Sequence, residues 1–198
     1  MRICFFGDSF VNGTGDDACL GWVGRLCAQA RASGRDLTLY NLGIRRDSSA
    51  DIAARWAAEA RCRLPVGVEG RLVFSFGAND CADDGEGKRR LPASASLGHA
   101  RAILGAAVAT APTLMVGPPP VGTEEADARI AALSVQLAEL CGSLSIAYLP
   151  VIGPLSDCRS WRAEAAAGDG AHPNSGGYAA LAALVAAWPA WQDWVGED

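Results

Sequence analysis

The hydrophobic residues of this chain fall into five short runs, and a segment long enough to form a helix separates each run from the next. The runs lie near residues 2–6, 37–42, 71–76, 113–117 and 145–149. Each run is apolar or β-branched in part, which is typical of strands buried in a parallel sheet. This alternation predicts five strands joined by crossover connections.

The four segments between the runs, and one segment after the last run, predict the helices. We expect helices near residues 20–33, 50–62, 95–110, 124–142 and 175–188. Ser48 and Asp51 have the spacing of a capping box, and Thr123 and Asn174 are suited to begin the last two helices. Right-handed crossovers place helices on both faces of a sheet. The sequence therefore predicts an α/β fold, a three-layer α/β/α sandwich with a five-stranded parallel sheet, flavodoxin-like in outline, with residues 1–198 in a single domain.

Short segments that carry glycine and polar residues stand where the first three strands should end. They are Gly-Asp-Ser at residues 7–9, Asn-Leu-Gly at 41–43 and Gly-Ala-Asn-Asp at 77–80. Ligands of open α/β sheets bind beyond the carboxyl ends of the strands. We therefore expect Ser9, Gly43 and Asn79 to converge on one site.

A fourth segment, Asp-Gly-Ala-His at residues 169–172, supplies a base near the end of the chain. A serine hydroxyl is a weak nucleophile until an imidazole takes its proton, and a carboxylate fixes the tautomer of that imidazole. Ser9, His172 and Asp169 provide one group for each role. The alternative to Asp169 is a main-chain carbonyl that orients the ring. The other histidine, His99, lies midway along a predicted helix, where we expect it to be exposed or half-buried.

With Gly-Asp-Ser, Gly, Gly-x-Asn-Asp and Asp-x-x-His in this order, the chain resembles the GDSL or SGNH hydrolase family from residue 5 to about residue 180. The resemblance implies a serine esterase with Ser9 as nucleophile, His172 as base and Asp169 as the orienting carboxylate. It also implies an oxyanion hole formed by the backbone amides of Ser9 and Gly43 and by the Asn79 side chain.

The expected substrates are small or medium acyl esters, hydrolysed through an acyl-enzyme. Carbohydrate O-acetyl esters and acyl thioesters are alternatives, because the same constellation serves all three. The contrasting class is a non-catalytic binding module that has kept the fold and lost turnover. The structural alternative for each motif taken alone is a turn or a helix cap. Asp8 is expected to hold its turn or to pair with an arginine. Phe10 stands where the family usually has leucine, and we expect this departure to change packing and not chemistry.

Composition narrows the function classes further. The net charge of −5 argues against a nucleic-acid partner, whose phosphates demand a basic surface. No run approaches the roughly 18 apolar residues of a membrane span, and the apolar start of the chain is too short for a signal peptide. Seven cysteines, an odd number without a Cys-x-x-Cys pair, predict free thiols and a cytoplasmic location. With two histidines far apart we expect no metal and no cofactor, and Cys81, beside Asp80, is the one thiol that draws attention.

Two arginines and a polar loop should stand near the mouth of the pocket. Arg45 and Arg46 either guide an anionic substrate, or one of them pairs with Asp8 or Asp47 while the other is solvated. Residues 81–92 are polar and contain glycines, which predicts a mobile loop that acts as a lid.

Three tryptophans recur at every third position near the end of the chain. Trp188, Trp191 and Trp194 predict an apolar stripe. The stripe either packs on its own domain or joins two copies in a homo-oligomer.

Overall fold

The fold is built on a parallel sheet in which the first strand of the chain is an interior strand. A computed structural model describes residues 1–83 and 88–196. The five strands run parallel in the order β2-β1-β3-β4-β5. They are β1 (Arg2–Gly7), β2 (Thr38–Gly43), β3 (Gly70–Ser75), β4 (Thr113–Val116) and β5 (Ala147–Leu149). The five predicted strands are confirmed, and only the last is clearly shorter than expected.

Strand β1 is buried on both faces because side chains from both helical layers cover it. Residues 3–6 have no solvent exposure, as expected for an almost continuous apolar run in a parallel sheet. The Phe5 ring lies 5.7 Å from Trp22. The Phe6 ring, which points to the opposite face, lies 6.3 Å from Trp56. These contacts form two hydrophobic layers and confirm the three-layer α/β/α sandwich.

Ten helices cover the sheet and its ends within the described residues. The long ones are α2 (Gly21–Ala32), α3 (Ser49–Arg63), α5 (Ala93–Val108), α6 (Glu124–Ser143) and α9 (Ser175–Ala186). They confirm the five predicted helices to within about two residues at most ends. The short ones are α1 (Ser9–Asn12), α4 (Ala78–Cys81), α7 (Ile152–Ser156), α8 (Arg159–Ala167) and α10 (Pro189–Val195). The sequence did not predict these, because one or two turns show too little periodicity.

The helix starts follow local chemistry. Ser48 and Asp51 form the predicted capping box at the start of α3, each side chain bonding the backbone of the other. The Asn174 side chain accepts a hydrogen bond from the Ser175 amide at the start of α9. Thr123 occupies the cap position of α6, but its side chain makes no capping hydrogen bond.

The tryptophan stripe packs on its own chain. Trp191 is buried, with its ring 6.2 Å from that of Phe5, and Trp188 and Trp194 are half-buried against the same core. The Arg71 guanidinium lies 5.7 Å from the centre of the Trp194 ring. A homo-oligomer through this stripe stays a prediction. Among the helices described, none combines the length and hydrophobicity that crossing a bilayer requires.

Candidate active site

The register of the sheet brings three loops to one level. Gly7, the last residue of β1, lies opposite Gly43 of β2 and opposite Ser75 of β3. The segments that follow these residues therefore leave the sheet together, at the carboxyl edge where ligands of such sheets bind. Ser9 and Asn79 stand on two of these segments, at the start of α1 and within α4.

Ser9 begins a one-turn helix that Asp8 caps. The Asp8 carboxylate accepts a hydrogen bond from the Phe10 amide at 2.9 Å, which is the usual role of an aspartate before a helix. This confirms that Asp8 holds the turn; its second carboxyl oxygen is buried without a hydrogen-bond partner among the described residues. Ser9 does not cap the helix, and its side chain is free for other contacts.

Those contacts join Ser9 to the other end of the chain. His172 Nε2 lies 2.7 Å from Ser9 Oγ, and His172 Nδ1 lies 2.7 Å from Asp169 Oδ2. Asp169 Oδ1 also accepts the backbone amide of His172 at 2.9 Å. The three predicted side chains thus form one hydrogen-bonded chain, and the ring is oriented by the Asp169 carboxylate.

The Asp169 carboxylate is held in its charged form. Its partial burial alone would raise the pKa, but hydrogen bonds from the His172 amide, the His172 ring and the Ala171 amide outweigh burial and lower the pKa to about 2. Arg45 adds a weaker contact, with Nη2 3.5 Å from the same Oδ2 that faces the ring. Asp169 is therefore an anion at neutral pH.

Glu164 supports the segment that carries His172, and no sequence pattern pointed to it. Its carboxylate, on α8, accepts hydrogen bonds from the amides of Asn174, Gly176 and Gly177 at 3.0, 3.1 and 2.8 Å. These amides are the unpaired donors at the start of α9, where a negative charge is favoured. The turn after His172 is therefore tied to α8.

Gly43 lies against the turn that carries Ser9. A side chain at this position would collide with the backbone nitrogen of Asn12 and come within 2.7 Å of the Asp8 carbonyl oxygen, so only glycine lets β2 approach α1. The Gly43 amide donates to Asn41 Oδ1 at 3.1 Å. In this arrangement its hydrogen is engaged by Asn41 and is not free for a ligand.

Asn79, on α4, contacts the turn that follows β2, which also contains Arg46. Asn79 Nδ2 donates one hydrogen to the Asp47 carbonyl oxygen at 3.0 Å, and the second hydrogen of the carboxamide remains available. Arg46 has a positive φ of 74°, which is unusual for a residue with a side chain. The amides of Ser9 and Arg46 donate no hydrogen bond to any residue that the structure describes.

The predicted arginine pairings are wrong. Asp47 pairs with Arg55, whose Nε lies 2.7 Å from Asp47 Oδ2, and Arg45 contacts Asp169 instead. Arg55 is held next to Asp47 by further hydrogen bonds, because its guanidinium also donates to the carbonyl oxygens of Gly7 and Leu42, at the ends of β1 and β2. It thus fixes the two strand ends beneath the site.

A cavity of about 340 Å³ opens beside His172 and Asp169, with Thr14, Gly15 and Arg45 in its lining. Its volume is at the lower end of the range for small-molecule sites. Within residues 1–83 and 88–196, no three side chains of the metal-ligating types cluster together.

The remaining predictions near the site have mixed outcomes. Cys81 is buried, and burial raises the pKa of its thiol to about 11. This does not favour a reactive thiolate at Cys81. His99 is half-buried on α5, with Nδ1 3.1 Å from Ser49 Oγ, as expected. The predicted lid at 81–92 includes residues 84–87, which lie outside the described residues. At its two ends, the Arg90 amide donates to the Ala82 carbonyl oxygen at 2.9 Å.

Several solved structures share this fold. The lipase/acylhydrolase from Enterococcus faecalis is 21% identical, with 93% of each chain covered and a TM-score of 0.74. Axe2, an acetylxylan esterase from Geobacillus stearothermophilus, is 16% identical over 100% of this chain and 94% of that one, with a TM-score of 0.77. LAE5, an α/β hydrolase from the metagenome of Lake Arreo, Spain, is 18% identical over 92% of each chain, with a TM-score of 0.73. At these identities the likeness shows the fold alone.

A comparison with curated protein sequences found no match. The model of the GDSL-like lipase/acylhydrolase family matches residues 5–180, the extent over which the sequence motifs resemble that family. Because this match spans most of the sequence, the chain belongs to the GDSL-like lipase/acylhydrolase family.

Proposed function

We propose that this protein is a serine esterase that hydrolyses esters of small to medium acyl groups, with Ser9 as nucleophile, His172 as base and Asp169 as its orienting carboxylate. The observation that carries the proposal is the hydrogen-bonded chain from Ser9 Oγ through His172 to Asp169, with both side-chain distances at 2.7 Å. Neither a helix cap nor a structural turn requires a serine hydroxyl aimed at an imidazole nitrogen. This favours an enzyme over a non-catalytic binding module.

The reaction runs in two halves. Ser9 Oγ attacks the ester carbonyl carbon while His172 Nε2 takes the hydroxyl proton, and the imidazolium is stabilised by Asp169. The tetrahedral intermediate collapses as the alcohol leaves with the proton from His172, which leaves an acyl group on Ser9. In the second half, water attacks the acyl-enzyme and gives a proton to His172. His172 then returns this proton to Ser9 Oγ as the carboxylic acid leaves.

The negative oxygen of the tetrahedral intermediate needs fixed donors. We propose the Ser9 amide, the free hydrogen of Asn79 Nδ2 and one amide of the turn after β2. Gly43 is the donor that the family resemblance implies, but its amide would first have to leave Asn41 Oδ1. The Arg46 amide has no such competitor among the described residues, and backbone strain of this kind is often kept for function. Arg46 is therefore the stronger candidate for this backbone donor.

The cavity beside His172 and Asp169, of about 340 Å³, has room for one compact group of a substrate next to the base. Axe2, described as an acetylxylan esterase, has the same fold, which keeps sugar O-acetyl esters among the alternatives, with acyl thioesters beside them. The cavity includes Arg45 in its lining, so an anionic group of a substrate that entered it would meet a positive charge.

A panel of 4-nitrophenyl esters from acetate to decanoate tests the proposal. We expect turnover that is greatest for short acyl chains, and a loss of at least about a thousandfold in Ser9→Ala. Ser75→Ala is the matched control, since Ser75 is also buried at a strand end next to Gly7. Acetylated xylo-oligosaccharides and acetyl thioesters in parallel identify the preferred leaving group. No turnover on any of these substrates would contradict the proposed activity.

We also propose a cytoplasmic location. All seven cysteines are free in the structure, which suits a reducing compartment.

A further inference from the structure

The fourth residue of the Gly-Asp-Ser motif contacts the base directly. The Phe10 ring centre lies 4.8 Å from that of His172, and the two ring planes are tilted by 36° to each other, so the two rings are in contact. Phe10 is 3% exposed. The position that was expected to affect packing alone is therefore in contact with the imidazole.

Phe10 is itself held rigidly. Its ring stacks on Trp161 at 5.8 Å and 24°, and Trp161 Nε1 donates to the Pro120 carbonyl oxygen at 3.2 Å. Trp161 also meets the Tyr178 ring edge to face at 6.0 Å. Aromatic contacts of this geometry stabilise beyond the area they bury. His172 thus lies at one end of a cluster of aromatic rings, in which Phe10 on α1 contacts Trp161 on α8, and Trp161 contacts Tyr178 on α9.

Two in-plane hydrogen bonds do not fix a ring completely. The bonds from Nδ1 to Asp169 and from Nε2 to Ser9 define an axis, and the imidazole can still tip about that axis. A flat surface against one face prevents the tipping. Phe10 follows Ser9 directly on α1, so one helical turn sets both the nucleophile and the surface on which the base rests.

We propose that Phe10 is a positioning residue that holds the His172 ring in line with Ser9 Oγ and stabilises its imidazolium through the electron-rich face of the phenyl ring. This inference rests on the proposed esterase function. A cation is attracted to the face of an aromatic ring, and His172 becomes a cation in both halves of the reaction. Leucine would fill the space but offers neither a flat face nor a ring quadrupole.

The charged groups around His172 set the background for this effect. Asp169 faces Nδ1 at 2.7 Å, and Arg45 lies behind Asp169. Glu164 is occupied by three backbone amides after His172. Phe10→Leu changes none of these charges, so a shift in the titration of His172 in this variant reports on the aromatic face.

The test compares Phe10→Leu with Phe74→Leu, the same change at a buried phenylalanine that stacks on Phe6 at 5.4 Å, within the sheet. We expect Phe10→Leu to lower kcat about 5- to 20-fold with little change in KM, and to move the acid limb of kcat/KM to lower pH by about 0.5. The NMR titration midpoint of His172 should move the same way. His99, the only other histidine in the sequence, is an internal reference in the same spectra. Phe74→Leu should change neither the acid limb of kcat/KM nor the NMR titration midpoint of His172.

An unchanged His172 midpoint in folded Phe10→Leu would overturn the proposal, even if kcat falls, because a packing defect alone lowers kcat without changing the titration. If Phe10→Leu fails to fold, replacement of Phe10 by pentafluorophenylalanine keeps the shape and reverses the ring quadrupole, so the same shift to lower pH is expected. The NMR titration does not require turnover. An inactive wild-type protein would therefore count against the esterase function while the Phe10 contact is still tested.

Discussion

At the scale of single residues, the side chains of the site are each held by a hydrogen bond at one atom, while another atom faces the place where the reaction would occur. Asn79 Nδ2 gives one hydrogen to the Asp47 carbonyl oxygen and keeps the other. His172 has Nδ1 fixed by Asp169 and Nε2 directed at Ser9. A group held in this way needs little reorganisation when charge develops in the reaction, which is the condition for strong electrostatic catalysis.

Asn79→Ala should lower kcat about a hundredfold or more, because one preorganised donor to the oxyanion is lost. KM should change little. Steady-state kinetics on 4-nitrophenyl acetate measure both constants, and thermal unfolding verifies the fold. Asn12→Ala is the matched control, since Asn12 is an exposed asparagine at the end of α1. An Asn79→Ala enzyme with the wild-type kcat would remove this side chain from the mechanism.

The buried Asp8 carboxyl predicts a pH-dependent stability. Burial, with the charges of Asp80 and Asp47, raises the pKa of Asp8 to about 7. The folded protein therefore holds this proton to higher pH than the unfolded chain, in which an aspartate ionises near 4. Asp8 favours the folded state most below about pH 4, and its contribution falls as the pH rises to about 7.

Asp8→Asn cannot ionise, so its free energy of unfolding should rise relative to that of the wild type between about pH 4 and pH 7, and then level off. Urea unfolding at a series of pH values measures the difference. Asp51→Asn is a control of opposite sign, because hydrogen bonds from Ser48 lower the pKa of Asp51, and the stability that Asp51 adds is lost as the pH falls below about 4. A difference for Asp8→Asn that stays constant from pH 4 to 8 would show that Asp8 is ionised throughout.

At the scale of elements, the short helices orient the chemistry while the long ones build the layers. Helix α1 presents Ser9 and Phe10, and α8 presents Glu164 to the start of α9. Glu164 makes three hydrogen bonds to backbone amides in the turn that follows His172. The position of the base thus depends on two helices that meet at one carboxylate.

Glu164→Gln should lower the free energy of unfolding by about 1–3 kcal/mol, because the amide side chain removes the charge and one acceptor and leaves a backbone donor without its partner. We also expect kcat to fall several-fold as the His172 turn loosens. Urea unfolding and ester hydrolysis measure the two effects. Glu139→Gln, on an exposed part of α6, should stay within about 0.5 kcal/mol of the wild type. Equal stability of the two variants would contradict the role of Glu164.

The sequence predicted the elements that have strong patterns. Five apolar runs and five helix-length segments predicted the sheet and the long helices, because strands buried in a parallel sheet are almost continuously apolar and need long crossover connections. The roles of Glu164 and Arg55 were not predictable, since each bonds backbone groups on another element, 10 or more positions away in the sequence, and no sequence pattern marks such a pair. The positive φ of Arg46 had no signal either, because glycine usually marks such a position.

At the scale of the whole molecule, the two ends of the chain are clamped to each other. Ser175 Oγ donates to Asp16 at 2.6 Å, and the Tyr178 hydroxyl donates to the Thr14 carbonyl oxygen at 2.7 Å. Asp16 is also paired with Arg25, which holds the pKa of that carboxyl well below its usual range. This clamp lies next to the site and holds the turns that carry Ser9 and His172, 163 positions apart in the sequence, in contact.

Thiol titration tests the cytoplasmic proposal for the whole chain. When the protein is unfolded without reductant, seven thiols should react with the titrant, since all seven cysteines are free. In the folded protein the exposed Cys19 and Cys62 should react first, while burial raises the pKa of Cys27 and Cys141 to about 12 and protects them. One thiol or none after unfolding would indicate disulfides and an oxidising compartment.

The most direct test of the central claim is to find which residue acts as the nucleophile. A fluorophosphonate forms a stable bond with an activated serine and mimics the tetrahedral intermediate, and mass spectrometry of the digested protein locates the adduct. We expect one adduct, on Ser9, that is absent in Ser9→Ala, formed much more slowly in His172→Gln, and unaffected in Ser75→Ala and His99→Gln. An adduct on Ser75 or another serine, or no adduct on the folded wild-type protein, would contradict the assignment of Ser9, His172 and Asp169 as the catalytic unit.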